Sequence, residues 1–341
     1  MDVLGGDGRP HGTLGHYLAA DGSVGERVGV DLSGPHAGVV VGKRGSGKSY
    51  TLGVLAEALT DASGVAPVVV DPMGAFGGLS AAGIEVVRAR TRASALPPRA
   101  WCDLLGLDAT SPAGTLVWRA AEAETTLDGM RSWVESRDAD PAAVRAASNH
   151  LALAASWDCF SPSAPGVASL LDGGAVLDCT HLQGAALRAV VYAVATALYR
   201  AAVDDRASRL PWLLVDEAHA CASGVAASAV ETLFTRGRAP GASVVLATQR
   251  PSALPEVAVS QSDLLVAHRL TSERDVAALA DARPTFLSGD VASRLPHSTG
   301  DALVVDDATE AACSVRVRER RTEHEGRSAS ANAPTNRRNL T

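Results

Sequence analysis

Short apolar runs closed by polar or acidic residues recur along the chain, and longer stretches with helical spacing separate them. Val39-Val-Val41 runs into a glycine-rich turn. Ala66–Val70 ends on Asp71, Leu210–Val215 on Asp216-Glu217, and Ala242–Thr248 on Gln249. Gly83–Arg88, Gly174–Thr180, Asp263–His268, Asp301–Val305 and Ser314–Val317 are further runs of this kind. Consecutive apolar positions over such lengths predict strands buried on both faces. Between them, Leu52, Val54, Leu55, Ala58 and Leu59 fall at helical spacing. So do Leu187, Val190, Val191, Val194 and Leu198 within Gly184–Val203, and Val230, Leu233 and Phe234 within Ala226–Thr235. Strand and helix in alternation predict an α/β sandwich of three layers around a mainly parallel sheet.

The alternation is interrupted between about Thr110 and Phe160, where segments around Thr115–Ser136 and Pro141–Trp157 read as helices. Asp140 can cap the second, and Pro141 suits its first position. Trp118, Trp133 and Trp157 fall in this region, and core packing of a small helical insertion is their expected role, ahead of base stacking. The expected organisation is a short N-terminal extension over 1–36, holding at most a strand Arg27–Leu32. The first half of the core follows over 37–110, the insertion over 111–165 and the second half over 166–320. The Ser/Asn/Arg-rich stretch 321–341 reads as a disordered tail.

Composition narrows the function classes. The 341 residues are 46% hydrophobic, enough for a large core. The net charge of −7 excludes a globally basic nucleic-acid binder, so any DNA contact needs a local basic surface. Cys102, Cys159, Cys179, Cys221 and Cys313 form no C-x-x-C pair. They are expected as free thiols in a reducing cytoplasm, not as disulfides or metal ligands. No signal peptide and no unbroken apolar span of membrane length is expected, which places the protein in the cytoplasm, off the membrane.

The candidate chemistry sits where the first strand meets the first helix. Gly42-Lys43-Arg44-Gly45-Ser46-Gly47-Lys48-Ser49 has the form G-x-x-x-x-G-K-S, a P-loop. Its glycines let several backbone N–H groups converge on one point at a helix N-terminus, where the dipole favours phosphate. Lys48 can then reach the β- and γ-phosphates of ATP, and the Ser49 hydroxyl can ligate Mg²⁺. The nucleotide-binding stretch is read as Gly42 to Tyr50. Of the 31 lysines and arginines only Lys43 and Lys48 are lysines, and one of these stands at the phosphate position.

Leu213-Leu-Val-Asp-Glu217 supplies the other half, a Walker B pattern. Asp216 would hold Mg²⁺ and its water shell, and Glu217 would orient and deprotonate the attacking water. Gln249, at the end of another strand, can sense the γ-phosphate or that water. Asp71 either faces the nucleotide or caps the turn before Pro72. His219 is given no chemistry.

With these pieces in place the chain resembles the HerA/FtsK superfamily of hexameric P-loop ATPases, its HerA branch above all. The resemblance rests on Val41–Glu57, Val70-Asp-Pro-Met-Gly74, Leu214-Val-Asp-Glu-Ala-His219 and Arg238–Ser252 with its Thr-Gln-Arg-Pro strand end, and more weakly on His268–Ser272. It spans about 36 to 318. It implies a RecA-like core, a ring of six subunits, ATP-driven movement of double-stranded DNA and a partner nuclease. By position it implies phosphate and Mg²⁺ binding by Lys48 and Ser49, Mg²⁺ binding by Asp216, a base in Glu217, a sensor in Gln249, and an arginine, Arg238, near the neighbouring subunit's nucleotide. Two departures stand out. Residues 1–36 are too few for the β-barrel with which HerA proteins usually begin, and Ala75 stands where the family's strand-two motif continues with Glu. Competing readings are a nucleotide-dependent regulatory or assembly ATPase that does not bind DNA, and a secretion coupling ATPase, which usually needs a membrane anchor.

Overall fold

The computed structural model describes residues 2–6, 8–281, 286 and 291–324. A 12-stranded sheet forms its centre. The strands are β1 (Asp2–Leu4), β2 (His11–Leu18), β3 (Val24–Asp31), β4 (Ala37–Val41), β5 (Val65–Asp71) and β6 (Glu85–Arg88). They continue with β7 (Ala175–Asp178), β8 (Leu210–Val215), β9 (Ser243–Thr248), β10 (Leu264–Ala267), β11 (Asp301–Asp306) and β12 (Ala311–Val317). Their spatial order is β1-β3-β2-β12-β11-β10-β4-β9-β8-β5-β7-β6. From β10 to β6 every neighbour runs parallel. On the other side of β10 the ladder is antiparallel as far as β3.

Successive side chains of a strand point to opposite faces, and both faces are covered. Val39, Val41, Val68, Val70, Leu213, Val215, Val244 and Leu246 pack in one core, beneath helices α7 (Gly184–Val203) and α8 (Ala227–Arg236). The interleaved Val40, Val69, Leu214 and Val245 pack in a second core with Leu52, Val54 and Leu59 of helix α1 (Lys48–Asp61). That two-sided burial is why these strands read as unbroken apolar runs. Helix α7 is apolar and long enough to cross a membrane, yet Leu187, Val190, Val191, Val194 and Leu198 all belong to the first core. It is a core helix of the sandwich.

Between α1 and α7 lie the helices α2 (Pro98–Leu105), α3 (Pro112–Ala123), α4 (Leu127–Glu135), α5 (Pro141–Ser156) and α6 (Val167–Gly173). Helices α2 to α5 enclose a third core around Trp101, Val117, Met130, Val134 and Leu151, docked on α7 through Ala189 and Ala193. Trp133 and Trp157 pack against it half-buried. Arg137 lies 4.2 Å from the centroid of the Trp133 ring.

Several expectations need correction. The N-terminal stretch is no extension: β1, β2 and β3 belong to the main sheet, and β12 returns to pair with β2. The stretch Thr115–Ser136 holds two helices, broken where Thr126 caps α4 by accepting from Gly129 N–H at 3.1 Å. The expected tail also begins too early, since Arg321 and Thr322 are hydrogen-bonded to Glu57. Residues 325–341 of that expectation lie outside the described residues. Asp71 caps its turn: its carboxylate accepts from the N–H groups of Met73 (3.2 Å), Ala75 (3.0 Å) and Phe76 (2.9 Å).

Candidate nucleotide site

Strand β9 lies between β4 and β8. The loop after β4, the acidic pair after β8 and the polar end of β9 therefore meet at one edge, beyond the carboxyl ends of parallel strands. A cleft of about 600 Å³ opens there.

Gly42–Gly47 wraps the start of α1. Gly47 takes a φ of 123°, open to glycine, and a Cβ there would meet the His268 ring at 3.1 Å. Arg44, Gly45, Gly47, Lys48, Ser49 and Tyr50 line the cleft. Gly42, Lys43 and Ser46 shape the loop from below. The Lys43 carbonyl accepts from Ser46 Oγ (2.8 Å) and Lys48 Nζ (3.1 Å), and the Ser46 carbonyl accepts from Gly300 N–H (3.2 Å). Burial pushes the Lys48 ammonium down, while the Glu217 and Asp216 carboxylates hold it up.

Ser49 Oγ donates to Asp216 Oδ2 at 2.9 Å. Asp216 is 1% exposed, and its Oδ1 is buried without a hydrogen-bond partner. Burial pushes this carboxyl up to about 6, partly opposed by the Ser49 bond. An orphaned buried carboxylate oxygen beside a serine hydroxyl at a phosphate loop is the donor set of a hard divalent cation, and Mg²⁺ fits it.

Glu217 lines the cleft one residue further on, in a left-handed backbone conformation (φ 46°, ψ 43°) that a non-glycine residue rarely adopts. Its Oε2 accepts from Gln249 Nε2 at 3.3 Å and lies 3.2 Å from His219 Nδ1. Thr248 Oγ1 stands 3.4 Å from the same imidazole nitrogen. Burial pushes His219 down, so near neutral pH this contact is a hydrogen bond rather than an ion pair. His219 thus steadies the carboxylate, and only its place two residues after Glu217 hinted at this.

The structure brings Lys48, Ser49, Asp216, Glu217 and Gln249 together and leaves Arg238 apart. Arg238 is exposed just beyond α8 and does not line the cleft of its own chain. His268, read only as a family signature, is a buried prop. Its Nε2 lies 2.8 Å from Thr51 Oγ1 in α1, and its Nδ1 2.8 Å from the Asp301 carbonyl.

Residues 16–133 match the family model of the helicase HerA central domain. That match takes in the P-loop and α1 and spans less than half of the chain, so it is a likeness to that domain. The fold of the chain recurs in solved structures. VirB4 of Thermoanaerobacter pseudethanolicus superposes with a TM-score of 0.71 at 17% identity, covering 92% of this chain and 97% of its own. The bacterial conjugative coupling protein TrwBΔN70, crystallised with sulphate, superposes at 0.55 with 16% identity, covering 94% and 97%. No curated protein matches the chain in sequence.

Proposed function

We propose that the protein is a P-loop ATPase of the HerA/FtsK type, a motor that hydrolyses ATP with Mg²⁺ and moves double-stranded DNA, working as a ring of like subunits. The observation that supports this best is the convergence of Lys48, Ser49, Asp216, Glu217 and Gln249 at one cleft. A matching HerA helicase domain and the likeness to a conjugative coupling protein point the motor at DNA.

Each residue has a physical task. Gly42–Gly47 and the N-terminus of α1 bind the phosphates through backbone N–H groups. Lys48 neutralises charge on the β- and γ-phosphates. Ser49 Oγ and Asp216 would hold Mg²⁺, which supplies charge stabilisation for phosphoryl transfer. Glu217 takes the proton of the attacking water, and Gln249 holds the carboxylate aimed. Hydrolysis splits the terminal P–O bond and leaves ADP and phosphate. Arg238 would reach the nucleotide of the neighbouring subunit, and a partner nuclease would act on the DNA delivered.

A second reading rests on the net charge of −7: a regulatory ATPase that touches no DNA. One experiment separates the two. Turnover is measured against double-stranded DNA concentration at several salt concentrations. A motor shows DNA-stimulated turnover that weakens steeply with salt, because phosphate contacts release counterions. Flat turnover in low salt, with rings assembled, overturns the motor and leaves the regulatory ATPase.

A further inference from the structure

Beyond β12 the chain turns along α1 as a strap, Arg318–His324. Glu57 of α1 is fully buried and anchors it. Glu57 accepts from Arg318 Nη1 (2.6 Å), from the N–H groups of Arg321 and Thr322 (both 2.9 Å) and from Thr322 Oγ1 (2.7 Å). The neighbouring surface is cut to receive the strap. A Cβ on Gly53 would lie 2.6 Å from the Arg320 guanidinium carbon, and one on Gly78 would lie 2.2 Å from the Glu323 carbonyl oxygen. Arg320 lies over Gly53, its side chain 1% exposed, and donates to Thr322 Oγ1 at 2.9 Å.

The strap ends at the nucleotide cleft. Tyr50, the residue after Ser49, accepts a 2.6 Å hydrogen bond at its hydroxyl from Arg320 N–H. Its ring stands edge-on to His324, centroids 5.6 Å apart. Tyr50, Val317 and His324 all line the cleft that begins at Lys48. Arginine only donates, so the 3.1 Å contact from Arg320 Nη1 makes His324 Nδ1 an acceptor and leaves the ring proton on Nε2. The cleft thus has a charged end, for phosphates, and an aromatic end with apolar Val317.

We propose that the strap builds the base-binding end of the nucleotide site, with Tyr50 and His324 taking the heterocyclic base against their rings. This rests on the reading that phosphates bind at Lys48. A base seated there also ties the strap to nucleotide occupancy, since the strap holds one of the two rings.

The test compares two probes, ATP and inorganic tripolyphosphate, which carries the phosphates without the base. Dissociation constants are measured by calorimetry for the wild type, Tyr50→Ala, His324→Ala and Lys48→Ala. Tyr50→Ala and His324→Ala should weaken ATP by about 5- to 150-fold, the range for losing one base–aromatic stack, and leave tripolyphosphate within about twofold. Gly78→Ala, which sets a methyl against the strap, should give the same selective loss with both rings intact. Lys48→Ala should weaken both probes. Unchanged ATP affinity in both ring variants, or equal weakening of both probes, would overturn the base site. Loss of neither probe in Lys48→Ala would instead overturn the phosphate reading, and the base site with it.

Discussion

Gln249 Nε2 reaches Glu217 Oε2 across 3.3 Å from the strand that separates the P-loop strand from the strand carrying Glu217. The two side chains are therefore linked directly, and with Glu217 as the proposed base and Gln249 as the proposed sensor either substitution should strike the chemical step. Glu217→Gln keeps the size and loses the base. It should hold ATP with Mg²⁺ at near wild-type affinity while single-turnover hydrolysis falls by about 10²–10⁴. Gln249→Ala should fall in the same direction with affinity kept. If ATP affinity drops as far as turnover in Glu217→Gln, the residue binds nucleotide and the base lies elsewhere.

Lys48 is buried at the head of α1 and bonds only the Lys43 carbonyl among the described hydrogen bonds. Lys48→Ala removes no strut between elements, so the fold should melt normally. Hydrolysis should be abolished and ATP binding weakened. An Ala variant that turns over normally would remove Lys48 from the site.

Arg238 is exposed beyond α8, away from its own cleft, as an arginine that acts on a neighbour requires. Arg238→Ala should slow hydrolysis by about 10³–10⁵. Mixed with Lys48→Ala in one ring, it should recover part of the activity, since some interfaces then pair an intact Lys48 with an intact Arg238. Near wild-type turnover of Arg238→Ala alone would make the residue a helix-end cation, worth about 0.3–1 kcal/mol.

Burial pushes the His268 imidazole down to about 4; Lys48 acts in the same sense, and the Asp301 carbonyl and carboxylate oppose it. The unfolded chain takes up this proton below about 6.5 and the folded chain only below about 4. The stability held by the neutral ring is thus complete above about pH 6.5 and lost as pH falls toward 4, about 3 kcal/mol over the window at 1.36 kcal/mol per unit. Denaturant midpoints at several pH values, for the wild type and for His268→Gln, measure it. The variant should start less stable and lose less on acidification; an unchanged pH slope would contradict this.

The Walker residues were legible because each ends an apolar run that a parallel strand buries on both faces. Val39–Val41, Leu213–Val215 and Val244–Ala247 deliver Gly42, Asp216 and Gln249 to one edge by strand order alone. Strand β2 escaped because its ladder slips between Thr13 and Gly15 and again between His16 and Leu18, which breaks the two-residue period. The strap escaped for another reason. Arg318–His324 is polar and without period, and its position is set by a buried carboxylate, Glu57, far away in sequence. The break before α4 had a local signal, Thr126 at the cap position, outweighed by the apolar spacing on either side. Helix α2 is short and opens on Pro97-Pro98, a pair that reads as a turn.

Strand β12 seats itself between β11 and β2, so Val315 lies opposite Tyr17. During synthesis β2 and β3 can pair early as a hairpin, but the outer edge of β2 has no covering strand until residues 311–317 have left the ribosome. Non-local pairing of this kind is slow, and an open strand edge invites pairing with other chains. A nascent chain stalled before Ala311 therefore keeps an open edge through which it can pair with other chains, even though every Walker residue has already been made.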